Sequence, residues 1–84
     1  MQEFEDAVSK SKTLTQRPAN DELLKLYAMY KQATEGDNDE DRPGGFDFKA
    51  IAKHDAWAAL KGKSPSDAQK EYISFVDELH QKYA

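Results

Sequence analysis

The chain has 84 residues, of which 38% are apolar and 33% charged, and its formal net charge is −4. This composition is typical of one compact domain over residues 1–84, and it excludes an intrinsically disordered chain. The negative charge repels nucleic acids and anionic surfaces, so a polyanionic ligand needs a local cluster of lysines. The absence of cysteine excludes disulfide scaffolds, thiolate catalysis and cysteine zinc sites.

No stretch of the sequence approaches the roughly 18 consecutive apolar residues that a membrane-spanning helix needs. The first residues, MQEFEDAVSKSK, contain no apolar segment of the kind found in secretory signals. We therefore expect a cytoplasmic protein that does not insert into membranes.

Helical periodicity marks four segments, and none has the strict alternation of a strand. The first predicted helix covers Glu3–Leu14 and ends before Pro18. The second covers Asp21–Glu35, with Asn20 as its N-cap and Gly36 as its left-handed stop.

The third predicted helix follows a capping aspartate, Asp47, and ends at Gly62. Its expected buried side is Phe48, Ile51, Ala52, Ala56 and Leu60. The fourth begins at Ser64, a hydroxyl cap followed by proline, and has the most regular apolar stripe. That stripe is Ala68, Tyr72, Phe75, Val76, Leu79 and Tyr83. Four helices with short connections predict a small bundle, with one longer connection at Gly36–Phe46.

Polar side chains interrupt the expected apolar face of the second helix. Tyr27, Tyr30 and Lys31 share this face, and Lys49 and Lys53 lie one turn apart on the third helix. Tyrosines on such a stripe commonly pack in a core with the hydroxyl reaching water. A row of lysines is unfavourable unless an anion neutralises it, so the two segments also fit an anionic ligand with an apolar end.

Metal binding and catalysis find little support in the sequence. Asp37, Asp39 and Asp41 alternate like calcium ligands, but Arg42 stands where the loop needs glycine and Phe48 where it needs glutamate. Neither histidine has metal-ligand spacing, and no serine lies in a nucleophile elbow. His54 and Asp55 are adjacent, so we expect their side chains to point apart. The sequence predicts a protein that is not an enzyme and has no cofactor.

The motifs YxxYKQAT, a following GD, RPG, DFK and KxDAW occur in this order between Tyr27 and Trp57. With the FEDAV opening and the terminal AQKEYISFVDELHQKY, they extend over almost the whole chain. In this the sequence resembles the acyl-CoA-binding proteins, small intracellular carriers of fatty acyl thioesters. The resemblance implies an all-α, antiparallel four-helix bundle with an up-down-down-up course.

The resemblance also implies site residues. Five positions match the ligand contacts of the family: Tyr27, Tyr30, Lys31, Lys53 and Tyr72. It assigns Lys31, Lys53 and the Tyr27 hydroxyl to the phosphates and Tyr30 to the adenine. Lys12 and Lys49 match more peripheral basic positions, and Val8, Leu23 and Leu24 are candidates for the acyl groove. His54 departs from the family, since many relatives have tryptophan there.

By this resemblance the protein binds medium- to long-chain acyl-CoA reversibly and transports it as a monomer, with transient contacts to acyl-CoA-using enzymes or membranes. The alternative is a helical interaction module whose tyrosine and lysine face binds an acidic protein partner. A general phosphate or nucleotide binder is a weaker alternative. An open cleft lined by lysines favours a ligand, whereas a flat aromatic patch favours a protein partner.

Overall fold

Four α-helices make up the regular structure of residues 2–83, the part of the chain that this computed structural model describes. In chain order they are α1 (Gln2–Ser11), α2 (Asn20–Glu35), α3 (Phe48–Ala58) and α4 (Pro65–Tyr83). Within the described residues there is no strand, and no helix is long and apolar enough to cross a membrane. The predicted all-α class is confirmed.

α4 packs against both α1 and α2. Glu22, near the start of α2, lies 2.9 Å from the Lys82 ammonium at the end of α4, so these helices are antiparallel. The end of α1 lies beside the later part of α4, because the Lys10 ammonium is 3.0 Å from Asp77. α1 and α4 therefore run in the same direction.

α3 packs on α2 and completes the bundle from the other side. The Lys53 ammonium lies 5.2 Å from the ring centroid of Tyr27, and the Lys31 ammonium lies 4.9 Å from that of Trp57. Since later residues of α2 meet later residues of α3, these two helices are parallel. The course is up-down-down-up, as predicted.

The hydrophobic core lies mainly between α1, α2 and α4. Its buried members are Phe4, Ala7, Leu26, Met29, Ala33, Ala68, Tyr72, Phe75, Val76 and Leu79. The stripe predicted for α4 supplies half of this set, and its last member, Tyr83, is partly buried against the others. The regular three-and-four spacing of that helix therefore predicted its buried face correctly.

Several boundaries differ from those predicted. α3 ends at Ala58 and not at Gly62, because the N–H groups of Leu60 and Lys61 bond to carbonyls three residues back. α1 ends at Ser11, because the N–H of Lys12 and Thr13 bond to carbonyls three residues back and tighten the chain into a turn. α2 begins with Ala19 as its N-cap, and the Glu22 carboxylate accepts a 2.9 Å hydrogen bond from the Ala19 N–H. Asn20 was predicted as the cap but instead accepts from the Arg17 guanidinium. A carboxylate one turn inside the helix thus replaces the expected side-chain cap.

The other helix signals are confirmed. Asp47 accepts from the Ala50 N–H at 3.1 Å, and the Ser64 hydroxyl accepts from the Asp67 N–H at 3.1 Å. The stop after α2 is Gly36, where φ is +79°, a conformation that glycine adopts without strain.

α3 buries only part of the side predicted for it. Phe48 was expected inside but is 71% exposed, and Trp57 is only 2% exposed. Phe48 is the first residue of α3, and the preceding connection brings no helix over it. Three other residues of the predicted buried side are half-buried: Ile51, Ala52 and Ala56. The single helix that packs on α3, α2, therefore covers only part of this side.

Glu22 gives the fold a specific acid sensitivity. Hydrogen bonds from Lys82, Tyr83 and the Ala19 N–H lower the pKa of its carboxyl from 4.5 to about 2. Because the folded pKa is depressed, the stabilisation is present above the unfolded pKa and is lost as the pH falls towards about 2. In Glu22→Gln, urea unfolding should depend less on pH between about 5 and 2 than in the native chain. The control Glu78→Gln changes an exposed carboxylate of α4 and should unfold in urea with the pH dependence of the native chain. If Glu22→Gln and the native chain showed the same pH dependence, the role of Glu22 would be contradicted.

Candidate functional site

An open cleft of about 620 Å³ lies between α2 and α3. This volume is within the usual range for sites that bind small molecules, about 300–1,000 Å³. The lining residues are Arg17, Asn20, Leu23, Leu24, Tyr27, Lys49, Ala52 and Lys53. The parallel packing of α2 and α3 brings leucines of one helix opposite lysines of the other. The cleft therefore combines an apolar wall with a cationic one.

The cations of this cleft are not neutralised by neighbouring acids. Within residues 2–83, neither Lys49 nor Lys53 has a carboxylate at ion-pair distance. Arg17 bonds to the neutral amide of Asn20 at 3.1 Å. A chain of net charge −4 thus gathers three cationic side chains in one depression. Such a cleft attracts an anion locally although the whole molecule is acidic.

Tyr27 forms the boundary between this cleft and a second depression. Its ring lies under the Lys53 ammonium at 5.2 Å, a cation–π arrangement that holds the lysine over the cleft. The same side chain lines a hollow of about 320 Å³ between α1, α2 and α4. One ligand can therefore contact Tyr27 from either side.

The second hollow is lined by predicted site residues that, apart from Tyr27, do not line the cleft. It is lined by Val8, Ser11, Lys12, Leu26, Tyr27, Tyr30 and Tyr72. The Tyr72 hydroxyl donates to Ser11 at 3.3 Å, and burial raises the pKa of Tyr72 above its usual value. Tyr72 belongs both to the core and to the wall of this hollow.

Tyr30 is the exposed aromatic of this region. Its ring stacks on Phe4, with centroids 6.1 Å apart and planes inclined by 19°. Tyr72 meets both rings, at 5.2 Å from Phe4 and 6.4 Å from Tyr30. The three rings form a fixed wall, because Phe4 and Tyr72 are buried and Tyr30 is held against them.

Lys31 lies one turn beyond Tyr27 but does not line either depression. Its ammonium is 4.9 Å from the Trp57 ring centroid and pairs with Glu35 one turn later. The hydrogen bond to Glu35 raises the pKa of Lys31 above its usual value. An anion bound by Lys31 must therefore compete with the Glu35 carboxylate.

The three residues predicted for the acyl groove do not share one surface. Leu23 and Leu24 line the cleft between α2 and α3, whereas Val8 lines the hollow beside α1. Tyr27 lies where the two depressions meet. An extended ligand that touches all three must pass along Tyr27.

His54 fixes the connection between α2 and α3 instead of facing the cleft. Its Nε2 lies 2.9 Å from the Glu40 carbonyl oxygen, and the side chain is only 14% exposed. The Asn38 amide donates to the His54 carbonyl at 3.2 Å, and Arg42 forms a two-pronged ion pair with Asp55 at 3.0 and 3.1 Å. The connection is thus tied to α3 immediately after Lys53.

One expectation about His54 was wrong. Its Nδ1 lies 3.2 Å from Asp55 Oδ1, although adjacent helix positions were expected to point apart. Both side chains bend towards the connection, where Glu40 and Arg42 attract them. Bonding to the Glu40 carbonyl, and then to Asp55, raises the pKa of His54. The pair therefore ties the connection to α3.

Asp37, the first acidic residue of the same connection, holds the connection to the end of α2 and to Gly62. Asp37 Oδ1 accepts from the Gln32 amide and from the Gly62 N–H, both at 2.9 Å. The Gly62 N–H, and then Gln32, lower the pKa of Asp37. In the described part of the chain, no group of three or more acidic or histidine side chains could hold a metal ion.

Sequence reasoning missed several cleft residues. Arg17 lines it from the connection before α2, Asn20 lines it as the first residue of α2, and Ala52 lies between the two lysines of α3. Arg17 precedes a proline in a segment without periodicity, so no pattern of spacing pointed to it. Ala52 could have been inferred, since it lies three residues after Lys49 on the same helical face.

Comparison with known proteins explains why these groups occur together. The family model "Acyl CoA binding protein" matches residues 1–76. The chain is 55% identical over 80 residues to acyl-CoA-binding protein homolog 1 of Caenorhabditis elegans, covering 95% of this chain and 93% of that protein. It is 53% identical over 81 residues to the acyl-CoA-binding protein of Saccharomyces cerevisiae, covering 96% and 93%.

Solved structures agree with the sequence relatives. The crystal structure of Oryza sativa acyl-CoA-binding protein 2 superposes with a TM-score of 0.92 at 43% identity, covering 96% of this chain and 90% of that one. The solution structure of the yeast acyl-coenzyme A-binding protein gives a TM-score of 0.75 at 54% identity, covering 95% and 93%. Fold and sequence thus both match acyl-CoA-binding proteins along almost their full length, and the chain belongs to the acyl-CoA-binding protein family.

Proposed function

We propose that this protein binds medium- to long-chain fatty acyl-CoA esters reversibly and acts as their intracellular carrier, with residues 1–84 forming one binding domain. The observation that carries this function is the cleft between α2 and α3, where lysines without an acidic partner among residues 2–83 face leucines across one depression. Acyl-CoA has the matching chemistry, because its phosphates are anionic and its acyl chain is apolar. Family membership supports the same ligand.

The phosphates of the ligand are assigned to the cationic wall. Lys49 and Lys53 lie one turn apart without acidic partners among residues 2–83, and Arg17 lines the same cleft. Lys31, on the same face as Tyr27, joins them when an incoming phosphate displaces Glu35. Lys12 offers another cation on the far side of Tyr27.

The uncharged parts of the ligand are assigned to the aromatic and aliphatic surfaces. Tyr30 is exposed and backed by Phe4, so its outer face is available to stack on the adenine. Leu23 and Leu24 provide apolar surface for the acyl chain beside the lysines. A chain that continues past Tyr27 reaches Val8 and Tyr72 in the second hollow.

Both ends of the ligand are needed for tight binding. Burying about fourteen methylenes contributes about 11 kcal/mol, at about 0.8 kcal/mol each. Association costs about 4–15 kcal/mol, a range that includes the contribution of the chain, so burial of the chain alone does not ensure binding. Each charge-assisted bond to phosphate adds about 1.5–3 kcal/mol and makes the complex tight. The headgroup determines which class of ligand binds, and the acyl chain increases the affinity.

The carrier function needs no catalysis and no cofactor. The cleft presents lysines, an arginine, leucines and a tyrosine, and no nucleophile lies beside a base there. The ligand leaves as it entered, as an intact thioester. We infer a monomer in the cytoplasm that meets acyl-CoA-using enzymes or membranes transiently, as the resemblance to the family implies. The absence of cysteine is compatible with a reducing compartment.

Titration calorimetry with CoA, octanoyl-CoA, palmitoyl-CoA and free palmitate tests this function. Affinity should rise from CoA to octanoyl-CoA to palmitoyl-CoA, because each added methylene is withdrawn from water. Free palmitate should bind much more weakly than its CoA ester, because it lacks the phosphates. Equal affinity for palmitate and palmitoyl-CoA would exclude the proposal, and affinity independent of acyl length would favour a general nucleotide binder.

The protein-interaction alternative has less support. A protein partner favours a flat patch, whereas the tyrosines and lysines here border two depressions. Sequence relatives at 53–55% identity are named for acyl-CoA binding.

A further inference from the structure

A third hollow, of about 330 Å³, lies in the gap between α3 and α4, with α2 beneath it. Within residues 2–83, α3 packs on α2 but not on α4, so these two helices leave a space between them. The apolar residues that line it are Leu24, Ala28, Met29, Ala56 and Leu60. Of the predicted site residues, only Leu24 is among them.

The third hollow is apolar inside. Ala28 and Met29 are buried beneath it, and the small side chain of Ala56 leaves space above them. Four charged residues, three of them exposed, stand around this apolar surface: Asp21, Lys25, Lys63 and Glu71. Such a space suits a hydrocarbon group, because a charged group placed there would lose its water.

The third hollow continues the ligand cleft. Leu24 lines both spaces. Ala52 lines the cleft, and Ala56, one turn later on the same face of α3, lines the hollow. The two spaces are therefore neighbours along one apolar path, and Leu24 is their shared wall.

A long acyl chain can leave the cleft by two routes, past Tyr27 or past Leu24. The route past Tyr27 enters the second hollow, which contains Lys12, a serine and tyrosine hydroxyls, and where Tyr30 is assigned to the adenine. Methylenes placed there would cover polar groups without bonding to them, which costs free energy. The route past Leu24 meets apolar side chains, so it is the favoured one.

An ion pair stands at the end of the third hollow that lies beyond Leu60. The Lys63 ammonium, in the connection between α3 and α4, pairs with the Glu71 carboxylate on α4. Both residues line the hollow. A methyl terminus that reaches this pair has no further apolar surface to cover, so the hollow has a definite length.

We propose that the third hollow takes the methyl end of acyl chains too long for the cleft, such as the stearoyl chain, and that its size sets the acyl length at which affinity stops rising. This inference rests on the proposed carrier function, because it assigns a place to the far end of the same ligand. Each methylene that enters the hollow should strengthen binding by about fourfold, and one that remains in water should add nothing. The much shorter octanoyl chain should end in the cleft.

Nuclear magnetic resonance of the native chain with stearoyl-CoA, isotope-labelled at its terminal methyl, tests the location. We expect nuclear Overhauser contacts from that methyl to the methyl groups of Met29, Ala56 and Leu60. The labelled terminal methyl of octanoyl-CoA should instead contact the leucines of the cleft. Contacts of the stearoyl methyl that are confined to the cleft, or that reach Val8 in the second hollow, would overturn the proposal.

Ala56→Leu tests the length limit, because the larger side chain extends into the third hollow. Calorimetry should show stearoyl-CoA binding weakened by about tenfold or more, the equivalent of roughly two excluded methylenes, and octanoyl-CoA binding with native affinity. The matched control Ala59→Leu adds the same side chain at the exposed C-cap of α3 and should change neither affinity. An equal loss for both ligands in Ala56→Leu, or no loss for stearoyl-CoA in the folded variant, would contradict the length limit.

The two ligands separate this proposal from the carrier function. If neither stearoyl-CoA nor octanoyl-CoA binds the native chain, the carrier function fails and the present proposal fails with it. If both bind but the stearoyl methyl lies outside the third hollow, only the present proposal fails. The resonance experiment uses the native chain, so it decides the location even if thermal melting shows that Ala56→Leu does not fold.

Discussion

Replacing Lys53 by alanine should weaken palmitoyl-CoA binding by about ten- to a hundredfold, the equivalent of about 1.5–3 kcal/mol for a charge-assisted bond. Its ammonium lines the cleft, lies over the Tyr27 ring and has no acidic partner among residues 2–83. Since no ion pair is broken, the free energy of unfolding should fall by no more than about 1 kcal/mol, the value of an exposed cation–π contact. Calorimetry and urea unfolding measure the two quantities.

The control variants isolate the charge. Lys53→Met keeps the apolar stem over Tyr27, so it should retain stability and still lose affinity. Lys70→Ala removes an exposed lysine of α4 from a different depression and should change neither quantity. CoA alone should lose as much binding free energy as palmitoyl-CoA, because Lys53 is assigned to the phosphates. A loss seen only with the acylated ligand would place Lys53 beside the chain and contradict the assignment.

Local signals predicted the fold well where one helix carries one regular stripe. α4 has the longest such stripe, and its first five members are buried as expected. α3 was predicted less well, because its covered face depends on where α2 lies. Phe48 has the periodicity of a core residue, yet it lies at the helix end beyond the reach of α2. Periodicity shows which face of a helix is apolar, but it does not show how far along the helix a neighbouring helix covers that face.

The sequence predicted that certain residues lie close together, but it did not predict the shape of the surface that they form. Lys49 and Lys53 could be paired from their spacing, and both line the cleft. The predicted groove residues are divided between two depressions because three other helices pack around Tyr27 of α2. The sequence of one helix alone does not predict this packing. The pairing of Lys31 with Glu35 was readable, since the two are four residues apart on α2.

Trp57→Ala should cost about 3–5 kcal/mol of folding free energy, the usual result of emptying a large buried aromatic site. Trp57 is 2% exposed, and its indole N–H donates to the Gly36 carbonyl at 2.8 Å. Stability of domains is about 5–15 kcal/mol in total, so the variant should lose a large share of it. Urea unfolding followed by circular dichroism measures the change.

The same side chain links the fold to the cleft. Trp57 joins α3 to the end of α2 through Gly36, and its face supports the Lys31 ammonium at 4.9 Å. Trp57→Phe keeps an aromatic face but deletes the N–H, so it should cost only about 1–3 kcal/mol, from the lost bond and the smaller volume. It should fold and bind palmitoyl-CoA with a small loss, because the relation of α3 to α2 is loosened but not abolished. Equal destabilisation by phenylalanine and alanine would show that the bond to Gly36, and not the filled volume, holds α3 against α2.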